Sequence, residues 1–126
     1  MKKDIISTDK APAAVGPYSQ AVRTGDLIFL SGQIALNPAT GKLVDGDIKA
    51  QAAQVCMNMT AVLESQGLGL ANVVKTTVFI TDIKQFAAVN EVYAQHFPTP
   101  CPARSCVEVS ALPLGALVEI EAIATV

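Results

Sequence analysis

The stretch VVKTTVFIT, residues 73–81, decides the fold because it is the clearest strand in the chain. Its β-branched and aromatic side chains favour an extended backbone. Apolar residues recur at helical spacing both before and after it. The sequence therefore predicts a strand between two helices, which indicates a mixed α and β fold.

The two predicted helices have recognisable ends. The first begins near Asp47, a good N-cap, and stops at Gly67. The second covers residues 83–96, begins after Asp82 and ends before a proline. One face of each helix is apolar and is expected to pack in the core, where Cys56 is interpreted as a small core residue. The predicted core positions are Ala52, Val55, Cys56, Met59, Val62 and Leu63 in the first helix, and Phe86, Val89, Tyr93 and Phe97 in the second.

Further strands are predicted on both sides of the helices. They cover residues 5–7, 19–23, 27–34, 103–111 and 116–125. The order β-β-β-α-β-α-β-β predicts an α+β domain, with both helices on one face of a mixed sheet. The chain length fits a single domain over residues 1–126. The other sheet face would then need cover from further subunits.

The composition also favours an oligomer. The chain is 51% hydrophobic and only 16% charged, whereas a typical soluble domain has roughly 25% charged residues. Burial of apolar surface between identical subunits would explain the shortage of charge. A net charge of −2 and a pI near 5.2 argue against a nucleic-acid partner, since no basic patch stands beside aromatic residues.

Cysteine and histidine usage excludes several classes of site. Three cysteines without a CxxC pair, and one histidine, argue against a disulfide framework and against zinc. These residues therefore predict no zinc site. The opening MKKDIISTDKAPAA lacks a long apolar run, and no stretch approaches ~20 apolar residues, so we expect neither a signal peptide nor a membrane span. These features predict a cytoplasmic protein.

Two charged residues stand in strongly β-patterned segments and are the candidate catalytic groups. Arg104 lies in PARSCVEV (102–109), and Glu119 lies in LVEIEAIATV (117–126). Alternation predicts that both point to the sheet face opposite the helices, where burial would require a partner or a ligand. A guanidinium suits a carboxylate, and a carboxylate can deprotonate water, so the pair describes a small-anion pocket with a hydrolytic water. The alternative is a structural salt bridge between Arg104 and Glu119.

Other polar residues in apolar surroundings are candidate pocket residues. Gly32 would let a ligand approach the backbone closely, or it is an ordinary bulge glycine. Asn90 lies on the apolar face of the second helix and needs hydrogen-bond partners there, structural or bound. Tyr18 in a Gly-Pro loop could close a pocket or simply pack. The remaining candidates are Ser31, next to Gly32, and Cys106, two residues beyond Arg104.

Together these segments resemble the RidA family of reactive intermediate deaminases, also called YjgF, endoribonuclease L-PSP or translation inhibitor. The resemblance covers essentially the whole chain. It implies a chorismate-mutase-like fold assembled as a homotrimer, with a central barrel of sheets, helices outside and active sites between subunits. The matching stretches are APAAVGPYSQA (11–21), LIFLSGQI (27–34), VVKTTVFITD (73–82), VNEVYAQHF (89–97) and PARSCVEVSALP with VEIEAIA (102–124).

The resemblance also implies an activity: hydrolysis of 2-iminobutanoate and 2-iminopropanoate, released by pyridoxal-phosphate dehydratases, to 2-oxo acids and ammonia without a cofactor. Arg104 would hold the substrate carboxylate, aided by backbone groups of Gly32 and Cys106. Glu119 would position and activate the attacking water. The residues expected to line the pocket are Tyr18, Ser31 and Asn90.

Three other functions stay open from the sequence. A ribonuclease fits an older family name but not the acidic pI or the lack of a basic groove. A non-catalytic module could bind 2-oxo acids or amino acids in the same cleft. A chaperone role has no distinguishing feature in this sequence.

Overall fold

The computed structural model describes residues 2–126, which contain six strands and two α-helices. The order is the predicted β-β-β-α-β-α-β-β, and every element overlaps the segment predicted for it. In chain order they are β1 (Asp4–Ile6), β2 (Ala21–Thr24), β3 (Leu27–Gln33), α1 (Ile48–Glu64), β4 (Val73–Ile80), α2 (Phe86–His96), β5 (Ala103–Glu108) and β6 (Val118–Thr125).

The strands form one mixed sheet in the order β1-β2-β3-β6-β4-β5. β4 and β5 are parallel, and the other neighbouring pairs are antiparallel. The core consists of the inner faces of α1 and α2 packed on alternate residues of β3, β4 and β6. The prediction of an α+β fold with both helices on one face of a mixed sheet is confirmed.

The ends of α1 follow from its sequence. Asp47 is the N-cap, because its side chain accepts a hydrogen bond of 3.0 Å from the backbone N–H of Ala50. The α-helix ends at Glu64, three residues before Gly67. Gly67 has a φ of +72°, which turns the chain so that Leu68 N–H can reach the carbonyl of Leu63 at 3.0 Å. Gly67 therefore stops the helix as predicted.

The predicted core of α1 is correct, and so is that of the second helix except for Phe86, which is only half-buried. The six apolar positions predicted for α1 are all buried, and Cys56 is only 1% exposed. Burial raises the pKa of its thiol to about 12, so it stays protonated and packs as an apolar residue. In the second predicted helix, residues Ile83–Gln85 form a 3-10 turn and α2 begins at Phe86.

The last two strands are shorter than predicted. β5 ends at Glu108 because β4, its neighbour, ends at Ile80 and offers no further pairing partner. β6 begins at Val118 because Pro113–Gly115 form a 3-10 turn, in which Leu114 has a φ of +58°. Residues other than glycine rarely adopt that backbone conformation.

The predicted direction of Arg104 is wrong. Arg104 is paired in register with Thr76 of the parallel strand β4, and in-register neighbours point to the same side of a sheet. Thr76 is fully buried beneath α2, so Arg104 points to the helix side. Glu119 points away from the helices as predicted, because its neighbours Val118 and Ile120 are buried under them. The alternation within β5 could not decide its direction because no residue of this edge strand is fully buried on either face.

Candidate functional site

A bulge in β3 lies beside Glu119. Leu30 pairs with Ala122 and Gln33 with Ile120, so three steps along β3 correspond to two along β6. The extra residue falls in the Ser31-Gly32 segment, and bulges of this kind often flank active sites. A Cβ on Gly32 would overlap the Glu119 carboxylate, so the absence of a side chain at Gly32 leaves the space in which that carboxylate lies.

The electrostatics of Glu119 suit a base. Partial burial raises the pKa of its carboxyl group above the usual range, and the negative charge of Glu121 adds to this effect. A carboxylate with a raised pKa binds a proton more readily than an ordinary one. None of its oxygens has a hydrogen-bond donor among residues 2–126 that would hold the ionised form.

Glu119 lines an open cleft of about 730 Å³. Ser31, Gly32 and Glu119 give it a polar wall, whereas most of its other lining residues are apolar. Tyr18 and Leu114 line this cleft and are 53% and 71% exposed. The Tyr18 ring and the Leu114 methyl groups are therefore available for contact with a ligand. The apolar residues among its lining are Pro12, Ala13, Val15, Ile34, Leu36, Pro113 and Leu114.

Ser31 has a structural bond that limits its chemistry. Its hydroxyl donates to the carbonyl of Ser19, and its backbone N–H donates to the carbonyl of Gln20 at 3.0 Å. These bonds tie the bulge to the chain segment that carries Tyr18. A ligand could therefore donate to the Ser31 oxygen but could not accept its hydrogen.

Arg104 lies in a different environment, against α2. Its Nη1 donates to the Asn90 side-chain oxygen at 2.8 Å. Its guanidinium carbon lies 5.3 Å from the ring centroid of Phe86 and 4.8 Å from that of Tyr93. No Asp or Glu side chain in residues 2–126 forms an ion pair with it, since the salt bridges there join Lys2 to Asp4 and Lys49 to Glu91. The alternative of an Arg104–Glu119 salt bridge is therefore wrong for the described chain.

Cys106 shares the environment of Arg104 and points the same way along β5. Burial raises the pKa of its thiol, although the Arg104 guanidinium partly opposes the shift. A raised pKa keeps the thiol protonated near neutral pH and makes it a poor nucleophile. Its side chain is suited to contact with a ligand, not to attack on one.

The predicted residues thus form two groups. The Arg104 group consists of Arg104, Asn90 and Cys106, and the Glu119 group consists of Glu119, Gly32, Ser31 and Tyr18. On β4, Thr76 pairs with Arg104 and Phe79 pairs with Glu119. Two strand spacings across and three residues along put the Cα atoms of Arg104 and Glu119 roughly 14 Å apart. They also lie on opposite sheet faces.

Elsewhere the described chain offers little competing chemistry. A second cleft, of about 590 Å³, lies between the N-terminal segment and the helices. The hydroxyls of Thr60 and Ser65 in it already donate to helix carbonyls. Within residues 2–126, no three His, Cys, Asp or Glu side chains come close enough together to hold a metal ion. Neither α1 nor α2, nor any shorter helix within residues 2–126, is long and apolar enough to cross a bilayer.

Comparison with known proteins assigns the family. Residues 8–126 match the family model described as Endoribonuclease L-PSP. The chain belongs to this family, also called RidA/YjgF. A curated relative, the 2-iminobutanoate/2-iminopropanoate deaminase of Capra hircus, is 52% identical over 95% of this chain and 88% of its own length.

Solved structures of the RidA/YjgF family share this fold. RidA from an Antarctic Psychrobacter bacterium has a TM-score of 0.94 and 49% identity, covering 98% of this chain and 99% of its own. TdcF of E. coli, solved with bound serine, has a TM-score of 0.90 and 44% identity, covering 98% of both chains. The resemblance drawn from the sequence is confirmed.

Two residues beside Arg104 were predicted only as core residues. Phe86 and Tyr93 lie on the same stripe of α2 as Asn90, at spacings of four and three residues. That spacing was visible in the sequence. The contact of these two rings with Arg104 could not be predicted, because it depends on the face of β5 from which the Arg104 side chain projects.

Proposed function

We propose that this protein hydrolyses 2-iminobutanoate and 2-iminopropanoate to 2-oxo acids and ammonia. The observation that carries the proposal is the Arg104 guanidinium, which contacts an amide and two rings but no carboxylate within residues 2–126. A substrate carboxylate would complete it. Relatives such as the Capra hircus protein bear the name of this activity.

In this mechanism Arg104 binds the substrate carboxylate through paired N–H donors, and Glu119 acts on water. The water oxygen bonds to C2 of the protonated imine while Glu119 accepts a water proton, and the C–N π electrons move to nitrogen. Glu119 then returns the proton to nitrogen, the C–N bond breaks with its electron pair leaving on ammonia, and the ionised Glu119 accepts the proton of the C2 hydroxyl as the 2-oxo group forms. The ammonia takes this proton from Glu119 and leaves as ammonium, which restores the carboxylate. The imine carbon is already electrophilic, so placement matters more than a strong nucleophile.

The remaining predicted residues have supporting roles in this proposal. Backbone groups of Gly32 and Cys106 would help to bind the carboxylate. Tyr18 and Asn90 would line the pocket, and Ser31 would accept a hydrogen bond from the substrate because its own hydrogen is committed.

The active site must combine two copies of the chain. A substrate of this size cannot bridge groups whose Cα atoms are roughly 14 Å apart on opposite sheet faces. An interface that brings the Arg104 group of one copy to the Glu119 group of another would join them, and the same contact repeated around a three-fold axis closes a homotrimer.

Exposed apolar side chains support this assembly. Leu27, Phe29 and Val107 are 41%, 42% and 43% exposed on the sheet face away from the helices. Alternate residues of β3 are buried on the helix side, so the side chains of Leu27 and Phe29 point to the opposite face of the sheet. A trimer would bury such a face. Light scattering is expected to give three times the chain mass, and a stable monomer would contradict the shared site.

A non-catalytic binding protein is the second candidate. It is favoured by the serine in the related TdcF structure, which indicates a small-molecule site in a protein of this fold. Binding of 2-oxobutanoate without any acceleration of imine hydrolysis would favour this function over the deaminase.

A coupled assay separates the two. Threonine dehydratase and threonine generate the imine, and formation of 2-oxobutanoate is followed with and without the protein. A deaminase accelerates the appearance of the product, and the Arg104→Ala variant does not. Arg23→Ala is the matched control, because the side chain of the half-buried Arg23 donates to the carbonyl of Gly25 and belongs to neither group of predicted residues. No acceleration by the wild-type protein would overturn the proposal.

We also propose a single domain over residues 1–126 in the cytoplasm. One hydrophobic cluster includes residues from β1 through β6, which supports one cooperative unit. Three free cysteines fit a reducing compartment. A single calorimetric transition and recovery in the cytosolic fraction are the expected results.

A further inference from the structure

Arg104 is held by one stripe of α2. Phe86, Asn90 and Tyr93 occupy positions i, i+4 and i+7 of the helix, so their side chains share one face. Arg104 comes from the neighbouring edge strand β5 and reaches all three side chains. An edge strand presents a long side chain to solvent unless neighbouring groups hold it.

The distances place the guanidinium between the rings. Phe86 and Tyr93 are seven residues apart, which is about 10.5 Å along a helix axis. The guanidinium carbon lies 5.3 Å from one ring centroid and 4.8 Å from the other, within the range of a cation–π contact to each. Asn90 lies between the rings along the helix and fixes the rotation of the planar group through Nη1 at 2.8 Å.

The Tyr93 ring is itself anchored in the core. Tyr93 is 6% exposed and stacks on Phe97, with ring centroids 4.1 Å apart and planes inclined by 17°. Its hydroxyl lies 2.9 Å from the hydroxyl of Thr76, which is completely buried. The position of the guanidinium is therefore tied to the sheet through β5 and to the core through Tyr93.

We propose that Phe86, Asn90 and Tyr93 are positioning residues that fix the Arg104 guanidinium before substrate arrives. The inference rests on the proposed function, in which Arg104 binds the substrate carboxylate. Asn90 takes one of the five guanidinium N–H groups, which leaves four for a carboxylate. Because the rotamer of Arg104 is already fixed, substrate binding need not order a flexible arginine side chain. Loss of a positioning residue therefore weakens substrate binding without altering the chemistry at Glu119.

The test replaces Phe86, the half-buried member of the three positioning residues that lies at the start of α2. Phe86→Leu keeps an apolar side chain but removes the ring, and it is expected to raise KM for 2-iminobutanoate about 3- to 30-fold while kcat changes less than about twofold. Phe86→Tyr retains the ring face and is expected to keep KM near that of wild type. A wild-type KM for Phe86→Leu, or equal losses in both Phe86 variants, would overturn the inference.

Two further variants keep the test decisive. If Phe86→Leu lowers the melting temperature so far that it cannot be assayed, Asn90→Ala is the alternative. It removes the hydrogen bond that Arg104 donates to the half-buried Asn90 side chain, and it is expected to raise KM in the same way. Arg104→Ala separates the levels of the argument. If Arg104→Ala has wild-type activity, Arg104 does not bind the substrate carboxylate. If Arg104→Ala is defective while Phe86→Leu and Asn90→Ala bind substrate normally, only the proposed positioning role is wrong.

Discussion

The two groups of site residues hold their charges in opposite ways. Around Arg104, contacts are already made: an amide bonds the guanidinium and two rings flank it. Around Glu119, space is left open: a glycine without a side chain and a bulge in β3 leave the carboxylate in a cleft. In the proposed function the first group would bind an anion, and the second would leave room for a water and a proton.

This contrast predicts different costs of mutation. Removing Arg104 breaks contacts that exist within the chain, so stability should fall slightly together with activity. Removing the charge of Glu119 relieves a burial cost, so stability should rise while activity falls. Each substitution below tests one half of the contrast.

The largest effect is expected for Glu119→Gln. The amide preserves shape and can bond a water, but it cannot accept the water's proton, so kcat should fall roughly 10²–10⁴-fold while 2-oxobutanoate still binds. Steady-state kinetics and calorimetric titration measure the two quantities. Glu91→Gln, at an exposed ion pair with Lys49, is the control. A near wild-type kcat would make Glu119 a structural group.

The same variant has a predicted signature in pH. Because the folded-state pKa of Glu119 is raised, wild-type activity should fall as the pH drops through that raised pKa, and Glu119→Gln should lose this limb. The protonated Glu119 contributes stability that is fully present below the pKa of this carboxyl group in the unfolded chain. That contribution is lost as the pH rises through the higher pKa of the folded protein. The variant should therefore melt higher than wild type near neutral pH and equally at acidic pH.

The next effect is expected for Arg104→Ala. Loss of the guanidinium leaves the substrate carboxylate without its partner, at a cost of roughly 2–5 kcal/mol, or about 30-fold to several thousand-fold in kcat/KM. Arg104→Lys restores charge without the planar fork and should recover only part of this. The Ala variant should lose about 1–2 kcal/mol of stability with its amide and ring contacts. An unstable but fully active variant would contradict the carboxylate role.

A smaller loss is expected for Gly32→Ala, which tests the open space. The new methyl group would overlap the Glu119 carboxylate and displace it, and a misplacement of about 1 Å can cost about 100-fold in rate. Gly69→Ala is the matched control, because Gly69 has an extended backbone and nothing within 4 Å of an added Cβ. Equal kcat values for the two variants would show that Gly32 does not shape the site.

The smallest effect is a shift of the pH profile by Glu121→Gln. The charge of Glu121 contributes to the raised pKa of Glu119, so its removal should lower that pKa and move the acid limb of the profile to lower pH. The plateau kcat should not change. A shift to higher pH would mean that the two carboxylates do not interact as described.

The fold was predictable because its signals are local. The strand at residues 73–81, the Asp47 cap and the glycine at position 67 are each recognised from a few neighbouring residues, and the observed elements lie within a few residues of the predicted ones. The errors occur at β5 and β6, where strand length depends on the neighbouring strand and on the turn at Pro113–Gly115.

The candidate site residues could be chosen from the sequence, but their arrangement could not be predicted from it. Arg104, Glu119, Asn90 and Gly32 stand out as polar residues or glycine in apolar segments. The face of β5 does not follow from its own alternation, because it is set by register with β4, and register depends on long-range pairing. The separation of Arg104 from Glu119 and the role of the Phe86 ring were therefore invisible before the sheet was known.

Mixing two inactive variants tests the shared site most directly. Arg104→Ala and Glu119→Gln chains are unfolded together, refolded as a mixture and assayed for imine hydrolysis. If each site takes Arg104 from one copy and Glu119 from its neighbour, random assembly in a ring gives intact sites at about one quarter of the interfaces, and activity should approach a quarter of wild type. Activity no higher than the average of the separately refolded variants would show that both residues must come from the same chain, and would contradict the account.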